Sequence, residues 1–140
     1  MDVIALIHAR LGADLPLATL LADYRGTPAV FAERVPPDAA PPWVLIEGVY
    51  LDTPEDGRGV RLRRLQVRLR CLDRAAGGGA RLQAVAARTR ALLQGEALEA
   101  ASGALLAQTC SGPLAEAAEA GFLQRRLELS LLFNEREEED

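Results

Sequence analysis

The stretch that decides the fold is residues 60–71, VRLRRLQVRLRC, in which apolar residues and arginines alternate. A period of two is typical of a β-strand with one buried and one solvent-facing side. The alternation changes parity at Arg63-Arg64, which predicts a β-bulge that restores the facing of the later residues. Five arginines and Gln66 would then share one face. At about 3.3 Å per residue the strand would span roughly 40 Å, so we expect it to extend beyond its own domain.

Two helices are predicted on either side of this strand. Residues 2–11 place apolar side chains at helical spacing after Asp2, a suitable N-cap. A further turn or two is expected over residues 17–24. Residues 80–94 form the clearest helical pattern, because their apolar residues make one stripe and Gly95 follows as a C-cap.

The segment 25–42 is predicted to be an extended arm. It contains five prolines, which exclude a regular helix and disfavour a central strand. A short edge strand is possible at residues 29–34. An arm of this length indicates either disorder or a contact function.

The remaining segments predict strands and the loops that join them. Residues 43–52 are apolar on both parities, as in a central strand, and residues 53–59 contain the turn pair Asp56-Gly57. Residues 103–110 and 122–133 predict two more strands, joined by a long loop at 111–121. The expected fold is α+β: a small antiparallel sheet of about four strands with two helices packed on one face, in the order α-β-β-α-β-β.

Composition favours a single domain over residues 1–134 with a short acidic tail. Hydrophobic residues make up 49% and aromatic residues 4%, so leucine, valine and alanine must build the core. Five of the 20 acids and one of the 16 arginines fall within residues 135–140, which leaves 15 of each in the first 134 residues. A neutral body disfavours a nucleic-acid binder, and the tail is expected to be disordered. No run approaches the roughly 20 apolar residues of a membrane span, and the acid at position 2 disfavours a secretion signal.

No catalytic, cofactor or metal site is predicted. Cys71 and Cys110 lie in apolar strand patterns and are expected to be buried thiols, and His8 has no ligand-spaced neighbour. The glycines at 77–79 precede a helix but lack the spacing of a phosphate-binding loop. They are expected to form a flexible joint.

The arginine face has two readings that the residues leave open. It could be a solvated sheet face balanced by Glu128 and loop acids, or a face that meets another subunit, where arginine forks pair with carboxylates. The length of the strand, the bulge and the arm favour the second. The candidate interface residues are Arg61, Arg63, Arg64, Gln66, Arg68, Arg70, Arg126 and Glu128.

Several strings resemble the tail-terminator, or tail-completion, family of long-tailed phages and gene transfer agents. They are ERVPP at 33–37, WVLIE at 43–47, LQVRLRC at 65–71, the alanine-rich helix at 80–93 and QRRLELSLLF at 124–133. Together with the N-terminal helix they cover nearly the whole chain. They form a pattern of elements rather than a diagnostic motif.

The resemblance implies a non-enzymatic virion protein, assembled in the bacterial cytoplasm and without cofactors. Such a protein would form a hexameric ring on the tail tube, end tube growth, and join the tail to the stopper or connector protein of the neck. DNA would pass through the ring without specific binding. The alternatives are a head–tail connector or stopper, and a small-molecule-binding α+β domain.

Overall fold

Three α-helices stand on one side of the molecule. The computed structural model describes residues 3–48, 53–57, 60–95 and 104–135, with side chains at all of these positions except 53–57, 60–63, 95, 104–106 and 133–135. The helices are α1 (Val3–Gly12), α2 (Leu15–Leu20) and α3 (Ala80–Gly95). The first and third confirm the predicted helices, although Asp2 lies outside the described residues. Helix α2 starts earlier than predicted because Asp14 caps it, accepting a hydrogen bond from the Leu17 backbone N–H at 2.9 Å.

Within the described ranges the chain forms two sheets. A small hairpin pairs β1 with β2, and the main sheet has the order β3-β4-β6-β8-β7, with β5 pairing with β6 beyond the end of β4. Only β3 and β4 run parallel. The strands are β1 (Asp23–Tyr24), β2 (Thr27–Pro28), β3 (Val30–Ala32), β4 (Trp43–Glu47), β5 (Thr53–Gly57), β6 (Val60–Arg74), β7 (Ala104–Glu116) and β8 (Phe122–Glu135).

The α+β class is as predicted, but the sheet of about four strands was an underestimate, because β3 and β5 also join it. Strand β3 is the edge strand expected inside the arm. Strand β5 falls where a loop was expected: Gly57 pairs with Val60, so the hairpin connection is only two residues long. The segment has a composition typical of a turn, and it forms a strand because it pairs with β6.

Strand β6 is the long strand of the prediction, but it has no bulge at Arg63-Arg64. Its pairing with β8 runs without a shift from Arg61 opposite Glu135 to Arg74 opposite Phe122. On the other side of β6, Glu47 of β4 pairs with Arg68 and Thr53 of β5 pairs with Arg64. The predicted bulge is therefore wrong. Positions 61 and 63 consequently share the parity of Leu65 and Val67 rather than that of Arg64.

The bulges of this sheet are in β7, its edge strand. The register with β8 shifts between Leu105 and Ala107 and again between Ser111 and Leu114. The second shift contains Gly112, with a φ of 101°, and Pro113. The predicted loop at 111–121 is thus wrong for its first six residues, because a bulge accommodates the Gly-Pro pair that would otherwise end a strand.

Gly112 leads to a first testable prediction. A Cβ at this position would lie 2.7 Å from the backbone oxygen of Arg126, and its positive φ disfavours any side chain. We expect Gly112→Ala to lower the free energy of unfolding by about 2 kcal/mol in urea denaturation. Gly77→Ala is the matched control, because no atom lies within 4 Å of its Cβ position and its φ is not positive. Equal stability of the two variants would contradict this account of the bulge.

One hydrophobic core joins all three helices to the inner face of the sheet. It includes Leu69 and Leu127 at the centre of the sheet and Leu82 and Leu93 from α3. The helices therefore cover one face, as predicted. Cys71 and Cys110 are buried in this core and free, and burial raises the pKa of the Cys71 thiol to about 12. Both act as small apolar side chains, as expected.

The proline-rich arm folds back onto its own sheet. Its residues build a second, smaller cluster on the outer side of β3 and β4, centred on Ala29, Phe31 and Leu45. The Tyr24 hydroxyl donates a hydrogen bond to Asp38 at 2.9 Å, and Arg25 forms an ion pair with the same carboxylate at 3.2 Å. Disorder of the arm is thus excluded. Of the tail predicted over residues 135–140, only Glu135, the last residue of β8, lies within the described chain.

Candidate interaction surface

The sheet face opposite the helices carries a set of charged side chains from four strands. Even-numbered residues of β6 point to this face, and the register places Arg68 opposite both Glu47 of β4 and Glu128 of β8. Arg70 stands opposite Arg126, which in turn stands opposite Leu114 of β7, two residues from Glu116. We call this surface the charged face; its members are Glu47, Arg68, Arg70, Glu116, Arg126 and Glu128.

Ion pairs run across the charged face from β4 to β7. Arg70 Nε lies 3.3 Å from Glu47 Oε1, and Arg68 Nη2 lies 3.6 Å from Glu128 Oε1. Arg126 is 3.7 Å from the same Glu128 oxygen through Nε and 3.8 Å from Glu116 Oε1 through Nη1. Gln124 donates a hydrogen bond to Glu116 Oε2 at 2.8 Å. Cations and anions therefore alternate across three strand boundaries.

These ion pairs orient the three arginines but leave part of their hydrogen-bonding capacity unused. The Nε atoms of Arg68, Arg70 and Arg126 are buried, and among the described residues none of them donates a hydrogen bond. The 3.3 Å approach of Arg70 to Glu47 is thus an electrostatic contact without hydrogen-bond geometry. The three side chains are 29%, 32% and 30% exposed. A carboxylate of a neighbouring chain can therefore reach their outer nitrogens.

Most of the predicted interface residues come together on this face. Gln66, Arg68, Arg70, Arg126 and Glu128 are half-buried on its central strands, and Arg64 is exposed further along β6, opposite Leu132. The side chains of Arg61 and Arg63 lie outside the described part of the structure.

The sequence interpretation missed Glu47 and Glu116. Glu47 was assigned to an apolar central strand, and Glu116 to a loop. Only the strand register reveals their pairing with arginines ten or more residues away in sequence. The face is consequently less cationic than an arginine stripe: Glu47 and Glu116 join Glu128 in balancing it.

Two tighter ion pairs hold helix α3 in place. The guanidinium of Arg81 donates two hydrogen bonds to the Asp73 carboxylate, at 2.9 and 2.8 Å, and Arg88 donates two to Asp14, at 2.8 and 2.6 Å. Those hydrogen bonds lower the pKa of both carboxyls, and backbone N–H donors add to the effect. The Asp73 side chain is 2% exposed, whereas that of Arg81 is 49% exposed. Asp73 therefore depends on Arg81 for its charge balance.

The second prediction concerns these carboxylates and pH. Because their folded pKa values lie below the ordinary 3.8, their contribution to stability is complete above about pH 4 and is lost as pH falls through the lower folded values. Asp73→Asn should lower the free energy of unfolding at pH 7 by about 2 kcal/mol, less than for a fully buried pair because Arg81 can turn to water. The same variant should lose less stability than the wild type between pH 5 and pH 3. Parallel acid titrations of the two proteins by urea denaturation would contradict the role of Asp73.

Two grooves lie away from the charged face. One, of about 610 Å³, is lined by Gln83, Ala87, Arg90, Ala91, Gln94 and Pro113. The other, of about 370 Å³, lies beside His8, whose Nε2–H donates to the Val30 carbonyl oxygen at 2.9 Å. Within the described residues, no cluster of His, Cys, Asp or Glu could hold a metal ion. None of the described helices has the length and apolar character needed to cross a membrane.

Comparison with known proteins agrees with this architecture. Residues 5–118 match the family described as tail completion protein gp17. A chain in a solved structure of the virion of a native gene transfer agent particle is similar with a TM-score of 0.73 and 25% identity, covering 96% of this chain and 95% of that one. No curated protein matches the sequence.

These findings define the class of protein: a structural component of a phage-type tail, carried in the virion. The chain belongs to the tail completion protein gp17 family. The resemblance inferred from the strings above is thereby confirmed.

Proposed function

We propose that this protein forms a ring, most simply a hexamer, on the end of the tail tube, where it ends tube growth and joins the tail to the neck of the capsid. The protein would then act without catalysis at the tail–neck junction. The observation that carries the proposal is the charged face, displayed on the two longest strands of a chain that belongs to a tail completion family. A closed ring is built from head-to-tail contacts, so each subunit must present two different surfaces to its neighbours.

The charged face is suited to be one of these surfaces. Its arginines are already oriented by Glu47, Glu116 and Glu128, so little side-chain freedom remains to be lost on docking. The alternation of charge selects a partner with the complementary pattern and repels one in the wrong register. We assign the contact with the next subunit or the tube to Arg64, Gln66, Arg68, Arg70, Arg126 and Glu128, and no longer include Arg61 and Arg63, whose positions have the opposite parity on β6.

The charge balance suits a ring through which DNA passes. The chain has 16 basic and 20 acidic side chains and no lysine, for a net charge of −4. A surface that is neutral to acidic does not attract phosphates, whereas a basic lumen would hold them through counterion release. DNA would therefore move through the ring without specific binding.

The direct test combines the purified chain with purified tail-tube protein and, separately, with the portal and connector proteins of the same particle. Pull-down on tube protein and light scattering at the mass of a closed ring would support the proposal. A head–tail connector or stopper would bind the portal side instead. A strict monomer that ignores tube protein at high concentration would contradict the ring.

A further inference from the structure

Strand β7 is the edge of the main sheet, and the rest of the described chain leaves its outer side uncovered by any strand. Residues 104–115 of this strand contain no charged side chain. Natural edge strands usually carry charges or prolines that prevent pairing with another chain. In β7 these devices are the two bulges and Pro113 within the second of them, and they leave residues 107–111 in regular register with β8.

The opposite edge of the sheet is treated differently. In β3, the Val30 carbonyl oxygen accepts the hydrogen bond from His8, and the Ala32 carbonyl oxygen accepts one from the Arg34 backbone N–H at 2.8 Å. These are the carbonyls that face away from β4, because alternate residues, such as Ala29 with Val44, make the bonds to that strand. The outward carbonyl oxygens of β3 therefore already have partners within the chain.

Strand β5 is protected by its composition. Its sequence, TPEDG, contains a proline, which cannot donate a ladder hydrogen bond, and two acids, which repel a second acidic strand. Of the edges that the structure describes, β7 is thus the one with an uncharged segment of five residues in regular register.

We propose that the free chain dimerises through β7, with residues 107–111 pairing antiparallel to the same residues of a second copy. A two-fold contact needs only one self-complementary surface, and an uncharged strand places no like charges against each other. The strand that pairs with β7 is β7 of a second copy, because neither β3 nor β5 offers an open uncharged edge with which it could pair. The pairing would join two sheets and leave no open uncharged edge for a third chain.

The neighbouring surface favours the same contact. Leu114, 55% exposed, follows the second bulge, and the groove between α3 and Pro113 borders the strand. Arg90 lies beside the groove and donates hydrogen bonds to the Gly112 carbonyl oxygen at 2.5 Å and to Gln94 at 3.0 Å. Its guanidinium is therefore fixed by groups of its own chain. The dimer would form before the protein assembles on a tail. The proposal is therefore independent of the ring described above.

The test uses Thr109, which is exposed at the centre of the regular segment. Wild-type protein should rise in light scattering from its 15.0 kDa chain mass toward twice that value as concentration increases. Thr109→Lys alone and Thr109→Glu alone should each remain monomeric, because a two-fold contact opposes like charges. An equimolar mixture of the two should dimerise again. Thr19→Lys, at an exposed position on α2, is the control and should associate like the wild type.

A second measurement does not depend on charge. Under mild oxidation, Thr109→Cys should form a disulfide-linked dimer because residue 109 faces itself across the two-fold axis, whereas Ala107→Cys, whose partner position is 111, and Thr19→Cys should not. The native thiols do not interfere because both are buried. A wild type that stays monomeric at all concentrations, or association that is the same in Thr109→Lys, would overturn the proposal. Tube binding by a monomeric Thr109→Lys variant would leave the ring function intact.

Discussion

Arg68→Glu combined with Arg70→Glu is expected to leave the subunit folded and to reduce its binding to tail tubes at least tenfold. Both side chains lie on the charged face, away from the core, so the cost in stability is the loss of two partly exposed ion pairs and the new repulsion from Glu47 and Glu128, about 2 kcal/mol in total. On the proposed interface the same change places carboxylates where a partner presents carboxylates, and such contacts cost several kcal/mol. Sedimentation with tube protein at physiological salt measures the effect.

Two controls separate intramolecular from intermolecular pairing. Glu47→Arg with Arg70→Glu exchanges the partners of one ion pair, so it should be more stable than Arg70→Glu alone yet still weaken tube binding. Arg25→Glu with Arg34→Glu makes the same change in net charge at two exposed positions outside the strands that form the charged face, and should bind tubes normally. Normal tube binding by the Arg68→Glu and Arg70→Glu double variant would indicate that the charged face is a solvated sheet surface and not an interface.

Leu69→Asp is expected to unfold the domain, although Leu69 lies between the two arginines just discussed. Its side chain is 0% exposed and packs in the main core on the opposite face of β6. A carboxylate there would be buried without a partner, at a cost of about 4 kcal/mol or more, which is comparable to the total stability of many small domains.

Far-UV circular dichroism and urea denaturation measure this loss. Leu69→Met keeps the volume and apolar character of the site and should cost less than about 1.5 kcal/mol. A folded and stable Leu69→Asp protein would contradict the assigned facing of β6. Adjacent positions on β6 thus test different properties: Leu69 tests the core, whereas Arg68 and Arg70 test the proposed interface.

The elements with strong periodicity could be predicted from the sequence. Helix α3 follows from its apolar stripe, and β6 and β8 follow from alternation over more than ten residues. Strand β5 could not, because TPEDG has the composition of a turn and becomes a strand only through pairing with β6. Similarly, β7 continues past Gly112-Pro113 because a bulge absorbs the pair, which local propensity does not indicate.

The candidate surface was predictable in part, and the limit was the register. The common face of Arg64, Arg68 and Arg70 could be predicted because all three occupy even-numbered positions of β6. The parity change at Arg63-Arg64 was interpreted as a bulge, but β6 runs there in unshifted register with both β5 and β8. Glu47 and Glu116 became visible as partners only when the neighbours of β6 and β8 were known.

The most direct test of the central claim is electron microscopy of tail tubes growing in the presence of the purified protein. The account predicts a ring at one end of each tube and a length distribution that stops increasing once the protein is added, with both effects absent for Arg68→Glu combined with Arg70→Glu. Tubes that keep growing with bare ends, while the protein remains free in solution, would contradict it.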